Sequence, residues 1–251
     1  DDPKVIEPLV ESLSWAREET IDVIALALAD HHQNGVIAIL DILMGRDEPR
    51  MRWGLAKTLE HIREERVIPF LMTLLRDDDP SVRKTAARAL GKYPELGERE
   101  PLRECLADPD ASVREATLLS LVELRESSVL PTLLELMDHE PDVNVVRWTA
   151  VALGALVQGN GDSLRPVVIQ KIRNWLEFHV ENADQSAGWI ALCLSRDDSI
   201  FATTIRGIQD SIHHSQMVAY LRELPTEIQQ RFFEFLSLDA PLFWQPRSAE
   251  N

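Results

Sequence analysis

Residues 79–91 read Asp-Pro-Ser-Val-Arg-Lys-Thr-Ala-Ala-Arg-Ala-Leu-Gly, and they have the pattern of a helix that packs on one face. The run opens with Asp79, which suits a helix N-terminus, and Pro80 follows where the first turn tolerates a missing N–H. Its apolar residues recur at helical spacing, at Val82, Ala86, Ala89 and Leu90. Gly91 then supplies a stop signal. The run therefore predicts a helix over 81–92.

The same pattern recurs along the chain with a period of 31 residues, which is typical of a repeat architecture. One column of leucines keeps this spacing and consists of Leu9, Leu40, Leu71, Leu102 and Leu133. Another keeps it until a final step of 32 residues and consists of Leu28, Leu59, Leu90, Leu121 and Leu153. Cys105 takes a leucine position in a further column, so we expect it to be a small apolar core residue.

Each repeat divides into two helical patterns joined by a turn that is rich in Asp and Pro. The predicted first helices are 5–13, 36–44, 67–75, 101–106 and 129–137. The predicted second helices are 21–29, 51–62, 81–92, 112–124 and 145–156. No alternating strand pattern competes with them. Because two short helices cannot bury their apolar face alone, neighbouring repeats must stack into one continuous core.

Residues 79–91 resemble the second-helix signature of HEAT repeats, and most closely the short bacterial type called phycobilisome-lyase HEAT-like repeats. Residues 110–116 and 142–154 echo this signature, and the resemblance covers about residues 5–157. It implies an all-α fold, namely a right-handed α-solenoid (a superhelix) of about five helix pairs with a helical C-terminal cap.

The pattern changes at residues 158–163, Gln-Gly-Asn-Gly-Asp-Ser, which form the most turn-rich stretch of the chain. We therefore expect a repeat solenoid over residues 1–158. A degenerate repeat and a helical cap should follow over residues 159–238, because solenoids need atypical terminal units. The last residues, 239–251, contain two prolines and predict a weakly ordered tail.

The chain has 251 residues and a formal net charge of −16. This acidity argues against a nucleic-acid binder, because phosphate neutralisation needs a basic face. It favours a protein partner with a basic or amphipathic segment. No apolar run reaches the roughly 18 residues of a membrane span. Two cysteines make no disulfide framework, so we expect a cytoplasmic protein, and the sequence leaves its oligomeric state open.

A column of arginines lies close to the acids of the predicted turns. It consists of Arg52, Arg83 and Arg114, and the acids are Asp47, Asp79 and Asp110. Arginines in such a column suit a phosphate or carboxylate partner. The resemblance to HEAT repeats implies instead a structural turn ladder, in which the Asp and Arg residues bind each other and the adjacent backbone.

The best candidates for partner binding lie on the predicted second helices. Residues 46–103 hold 13 of the 26 Lys and Arg against 11 Asp and Glu, so this part is locally basic and suits an acidic or mixed partner. Trp53 aligns with charged residues in the other repeats, which predicts an exposed aromatic anchor; Trp148 takes a small-residue position and either protrudes or fills a gap. Trp and Arg dominate binding hot spots. The candidate partner-binding residues are Arg50, Trp53, Lys57, Lys84, Arg88, Arg147 and Trp148.

Catalytic and metal-binding signatures are missing from the sequence. It has no nucleophile elbow, phosphate-binding loop or paired metal motif, so we predict no catalytic residue, no metal ligand and no cofactor. The sequence favours a non-catalytic scaffold or adaptor that binds a protein on its concave second-helix surface. The alternative implied by the resemblance is a bilin (phycobilin) lyase subunit or antenna-processing chaperone, in which the groove would hold an open-chain tetrapyrrole.

Overall fold

The computed structural model describes residues 3–30, 48–62, 64–94, 97, 99–160 and 163–178. These residues form helices and turns, with no strand among them, which confirms the predicted all-α fold. The handedness of the solenoid and its number of repeats stay predictions. The predicted helix 36–44, Asp47, and the predicted cap and tail beyond residue 178 lie outside the described residues.

The chain divides into two compact units, Asp1–Leu124 and Arg125–Asn251. The described α-helices of the first unit are α1 (Pro3–Ser12), α2 (Glu18–Asp30), α3 (Pro49–His61), α4 (Ile68–Leu74), α5 (Pro80–Gly91), α6 (Glu100–Glu104) and α7 (Ala111–Glu123). A 3-10 turn, Glu65–Val67, leads into α4, and another, Cys105–Ala107, follows α6.

The second helices of the repeats form a row in the first unit, because α2 contacts α3, α3 contacts α5, and α5 contacts α7. The leucine column at the centre of this row is fully buried at Leu28, Leu59, Leu90 and Leu121. Burial of one such side chain contributes about 1.5–3 kcal/mol. The first helices pack beside this row, α4 against α5 and α6 against α7. The 31-residue period thus places one buried leucine per repeat at the same level of the core.

Two glycines let helices of the first unit approach closely. A Cβ on Gly91 would lie 2.8 Å from the Cα of Ser120 on α7, and a Cβ on Gly54 would lie 2.9 Å from Leu13 Cδ2. Ser120 Oγ donates a hydrogen bond to the carbonyl of Ala87 at 2.8 Å across the α5–α7 contact. Gly91 is the last residue of α5, and no described glycine has a positive φ. Close packing, rather than a left-handed helix stop, therefore explains Gly91.

The second unit contains α8 (Leu130–His139), α9 (Val143–Asn160) and α10 (Arg165–Phe178), and a 3-10 turn, Ser127–Val129, precedes α8. Helix α9 contacts both α8 and α10. It continues to Asn160, so the first half of the turn-rich segment 158–163 is helical. The domain division predicted from that segment stays a prediction.

Candidate functional site

Two arginines of the predicted ladder, Arg52 and Arg83, bind acids of the following repeat. Arg52 Nε lies 2.6 Å from Asp77 Oδ2, and Arg52 Nη2 lies 3.0 Å from Asp77 Oδ1. One repeat later, Arg83 Nε and Nη2 lie 2.7 and 2.9 Å from the two carboxylate oxygens of Asp108. Both carboxylates are only 7% exposed. Paired hydrogen bonds of this kind fix orientation as well as charge, so they tie each turn to the next.

Arg83 and Arg114 also bind carbonyl groups of their own turns. Arg83 Nη1 donates to the carbonyl oxygens of Asp77 and Asp78 at 2.7 and 2.9 Å. Arg114 Nη1 donates to the carbonyl of Asp108 at 2.7 Å. The hydrogen bond to Asp108 raises the pKa of Arg83, although burial of the guanidinium opposes this change. The arginine column is therefore used within the fold.

Asp79 and Asp110, the acids that the sequence assigned to the ladder, accept hydrogen bonds from backbone N–H groups at the starts of helices. Asp79 Oδ1 accepts a hydrogen bond from the backbone N–H of Ser81 at 2.8 Å, and Asp110 Oδ1 accepts one from Ser112 at 2.9 Å. They are helix N-caps, and the hydrogen bonds from Ser112 lower the pKa of Asp110. The carboxylate that binds Arg83 is that of Asp108, and Asp79 caps its own helix instead.

The acids that do pair with the ladder stand two residues before each N-cap. Asp77 Oδ1 accepts from the N–H of Asp79, and Asp108 Oδ1 accepts from the N–H of Asp110, both at 2.9 Å. The recurring Asp-x-Asp spacing of the two turns was the signal that would have found them. In the second unit, Glu140 stands at this place, and its Oε1 accepts from the N–H of Asp142 at 2.9 Å.

A groove of about 600 Å³ lies between α3 and α5 and is called the α3–α5 groove below. It gathers five of the seven candidate partner-binding residues of the sequence. Its lining consists of Pro49, Arg50, Trp53, Lys57, Asp79, Ser81, Lys84, Thr85 and Arg88. These side chains are brought together because positions four residues apart share one face of a helix, and because α3 and α5 lie side by side.

Trp53 forms a wall of the α3–α5 groove. Its Nε1 donates to Thr85 Oγ1 at 3.1 Å, and the Thr85 hydroxyl donates in turn to the carbonyl of Ser81 at 2.8 Å. Lys57 Nζ lies 5.9 Å from the centre of the indole ring, within the range of a cation–π interaction. Trp53 is half-buried, not the freely exposed anchor that its alignment with charged positions predicted. The hydroxyl of Thr85, one repeat later, explains the difference.

The four cations of the groove differ in how far they are already paired. Lys57 Nζ lies 2.9 Å from Asp22 Oδ1, and Arg88 Nη2 lies 3.7 Å from Glu60 Oε1. Arg50 donates to the carbonyl of Ala16. Lys84, by contrast, has no hydrogen bond or ion pair with any residue that the structure describes. A ligand that enters the groove therefore meets a surplus of positive charge.

Glu60 lies beside the groove and joins α3 to α5. Its carboxylate is 6% exposed, and Oε1 lies 2.9 Å from Lys92 Nζ. Burial raises the pKa of Glu60, but the hydrogen bond from Lys92 and the charges of Lys92, Arg88 and Lys57 lower it more, so the net pKa is below its usual value. The arrangement makes Glu60 an ionised, buried partner that positions the cations around it.

The two remaining candidates belong to the second unit. Arg147 is half-buried, and its Nη1 donates to Asn144 Oδ1 at 3.0 Å on the same helix. Trp148 is only 6% exposed, so its ring fills a gap in α9 packing instead of protruding. Of the two alternatives for Trp148, the structure shows the buried one, and its assignment to partner binding stays a prediction.

The described residues contain neither a cluster of metal-binding side chains nor an activated thiol. No group of three potential metal-binding side chains occurs within the described ranges. Burial raises the pKa of Cys105 to about 11, which keeps its thiol protonated and unreactive at neutral pH. None of the helices described above combines the length and the apolar character that a bilayer crossing requires.

Two comparisons bear on the family of the chain. Residues 36–121 match the family described as HEAT repeats, and residues 99–177 match it again. Together the matches cover more than half of the chain and extend through α10, past the predicted limit of the resemblance at residue 157. The comparison with curated proteins gave no match. The stacked helix pairs, the arginine ladder and these matches agree, and the chain belongs to the HEAT-repeat family.

Proposed function

We propose that this protein is a non-catalytic scaffold or adaptor that binds a protein partner on its second-helix surface, at the α3–α5 groove. HEAT repeats are commonly protein-interaction scaffolds. The observation that carries the proposal is the gathering of Trp53, Lys84 and Arg88 in one groove of about 600 Å³. Trp and Arg, which Trp53 and Arg88 supply here, are among the residue types that dominate binding hot spots.

The difference between the two polar surfaces of the repeats supports this location. The ladder residue Arg83 binds Asp108 of the following repeat and the carbonyl of Asp77 in its own turn, so its guanidinium stabilises the fold. Lys84 makes no such bond within the described chain, and the Arg88 side chain is 51% exposed. Polar groups that the fold does not use are the ones left for a ligand.

A pair of charge reversals tests the proposal. Lys84→Glu reverses a groove cation, and Arg76→Glu is the matched control, because Arg76 is 75% exposed and lies outside the groove lining. The full chain, immobilised, is used to capture its partner from a lysate of its source, with quantitative mass spectrometry.

We expect Lys84→Glu to lower capture of the partner by about tenfold or more, and Arg76→Glu to leave it unchanged. Both variants should keep the melting temperature of the parent. Equal capture by the two variants would remove the α3–α5 groove as the binding site, and so would unfolding of the Lys84→Glu variant.

A second candidate function follows from the resemblance to phycobilisome-lyase repeats and from the chemistry of the same groove. Arg50, Lys84 and Arg88 suit the propionates of an open-chain tetrapyrrole, and the Trp53 ring suits its planar pigment. Addition of biliverdin to the full chain should then shift the pigment absorbance, and Arg88→Glu should abolish the shift. A spectrum that equals the sum of its components would exclude this candidate.

A further inference from the structure

Three large exposed apolar side chains belong to the first repeat. Trp15 is 76% exposed, Val23 is 66% exposed and Leu26 is 57% exposed. Val23 and Leu26 lie three residues apart on α2, so they share one face of that helix. Large apolar side chains exposed together on one surface are typical of an interaction site.

Two polar contacts join the first repeat to residues that line the α3–α5 groove. Asp22 Oδ1 lies 2.9 Å from the groove cation Lys57, and Leu26 stands one turn after Asp22 on the same face of α2. At the other end of the groove, Arg50 donates to the carbonyl of Ala16, which follows Trp15 directly in the chain. A ligand that lies across α2, α3 and α5 would therefore contact apolar and cationic side chains together.

The charges available in the groove define the ligand further. Lys57 shares its charge with Asp22, and Arg88 is held near the buried Glu60, so both are partly compensated. Lys84 remains uncompensated within the described chain. The carboxylate in the lining, Asp79, is occupied as a helix N-cap. The groove thus has room for one or two additional carboxylates, and it would repel a basic segment.

The net charge of −16 does not oppose an acidic ligand at this place. Charges on a protein surface are largely screened beyond a Debye length of about 8 Å at physiological ionic strength. The nearest charges therefore decide what binds, and residues 46–103, which include the groove, carry two more Lys and Arg than Asp and Glu.

We propose that the partner segment bound at the α3–α5 groove is acidic and amphipathic, with carboxylates on Lys84 and Arg88 and apolar side chains on Leu26 and Val23. The inference rests on the proposed scaffold function and specifies the chemistry of the partner. It departs from the basic segment that the net charge alone predicted. The bound segment would also contact Trp53, between the cationic side chains of Lys84 and Arg88 and the apolar side chains of Leu26 and Val23.

A random 12-residue peptide library displayed on phage tests the inference on the immobilised full chain. We expect the enriched peptides to combine Asp or Glu with large apolar residues. A synthetic, fluorescein-labelled copy of the most enriched peptide is then titrated by fluorescence anisotropy, at low and at high NaCl concentration.

The expected dissociation constant rises about tenfold in Lys84→Glu and in Leu26→Asp, and it rises with NaCl concentration. The matched controls are Arg76→Glu for the charge and Val167→Asp for the apolar side chain, since Val167 is 51% exposed on α10. Neither control should change binding. Circular dichroism melting checks that all four variants are folded.

The outcomes separate the two proposals. Enrichment of basic or uncharged peptides whose binding still depends on Lys84 would overturn the acidic specificity and leave the scaffold function standing. Peptides whose binding ignores both Lys84→Glu and Leu26→Asp would overturn the groove as the binding site. Failure to enrich any peptide over blank resin counts against both.

Discussion

The contact between α3 and α5 and the contact between α5 and α7 are successive steps of the same repeat, yet they are built differently. The α3–α5 contact includes a hydrogen bond from Trp53 to Thr85 and an ion pair between Glu60 and Lys92. It leaves a groove of about 600 Å³. The α5–α7 contact closes tightly, and Gly91 meets the backbone of Ser120 there.

The difference comes from side chains that occupy equivalent positions. Gly91 stands 31 residues after Glu60, so a glycine in one repeat takes the place of a buried carboxylate in the preceding one. Both steps share the Arg–Asp ladder, with Arg52 on Asp77 and Arg83 on Asp108. One architecture therefore supports either a close contact between second helices or an open groove between them, and these side chains differ between the two cases.

The largest effect is expected from the shared ladder. Arg83→Ala should lower the free energy of unfolding by about 3–5 kcal/mol, because it leaves the buried Asp108 carboxylate without its cation. Arg52→Ala should cost a similar amount, since Asp77 is equally buried. Urea unfolding measures both. The exposed pair of Arg76 and Glu104 is the control, and Arg76→Ala should change stability by about 0.5 kcal/mol or less. A much smaller cost at Arg52 than at Arg83 would mean that the two steps do not share the ladder equally.

The close contact between α5 and α7 should show the next largest loss of stability. Gly91→Ala places a Cβ 2.8 Å from the Ser120 backbone, so α5 and α7 must separate, and we expect a loss of about 2 kcal/mol. Gly97→Ala is the matched control, because a Cβ there meets nothing within 4 Å. If the two variants unfold at the same urea concentration, close packing does not hold the α5–α7 contact.

Glu60 should make the stability of the α3–α5 contact depend on pH. Its pKa is lowered in the folded state, so its stabilising effect is complete above the unfolded pKa of about 4.5 and is lost as the pH falls through the lower folded value. Glu60→Gln should cost about 1–2 kcal/mol at pH 7, and the difference from the parent should shrink below pH 4.5. Unfolding curves from pH 3 to 7 measure this, with the exposed Glu104→Gln as control. A difference that stays constant over this range would show that the charge of Glu60 is not what matters.

The smallest effect on stability is expected in the groove itself. Lys84→Ala removes a side chain without a partner in the described chain, so the free energy of unfolding should change by about 0.5 kcal/mol or less. Thermal unfolding followed by circular dichroism is sufficient to detect a larger loss. A clear drop in melting temperature would identify Lys84 as part of the fold and weaken its role in binding.

The helices were the most predictable part of the molecule. The predicted helix 81–92 is observed as Pro80–Gly91, and 112–124 is observed as Ala111–Glu123. A 31-residue column of apolar residues fixes the buried face of each helix, and Asp followed by two or three polar or small residues fixes its start. The short helix predicted at 101–106 becomes Glu100–Glu104 and a 3-10 turn.

The contacts between repeats were harder to predict, because they depend on distances that no single repeat contains. Sequence reasoning identified the ladder arginines but chose Asp79 over Asp77, two acids of one turn that only the neighbouring repeat distinguishes. It placed Trp53 on a second helix, as observed, but it did not predict the hydrogen bond from Trp53 to Thr85 of the next helix pair. Column alignment predicts which face a residue occupies and does not predict the partner that it meets.

The ladder also has a direction along the chain. Arg52 and Arg83 each take their carboxylate from the repeat that follows, so a cut between α5 and α6 separates Arg83 from Asp108. The upstream fragment then contains Arg83 without its carboxylate, and the downstream fragment contains Asp108 without its cation, while each group keeps its hydrogen bonds to its own turn. Two such complementary fragments have a built-in polarity, and we expect them to reassemble in trans only in the native order.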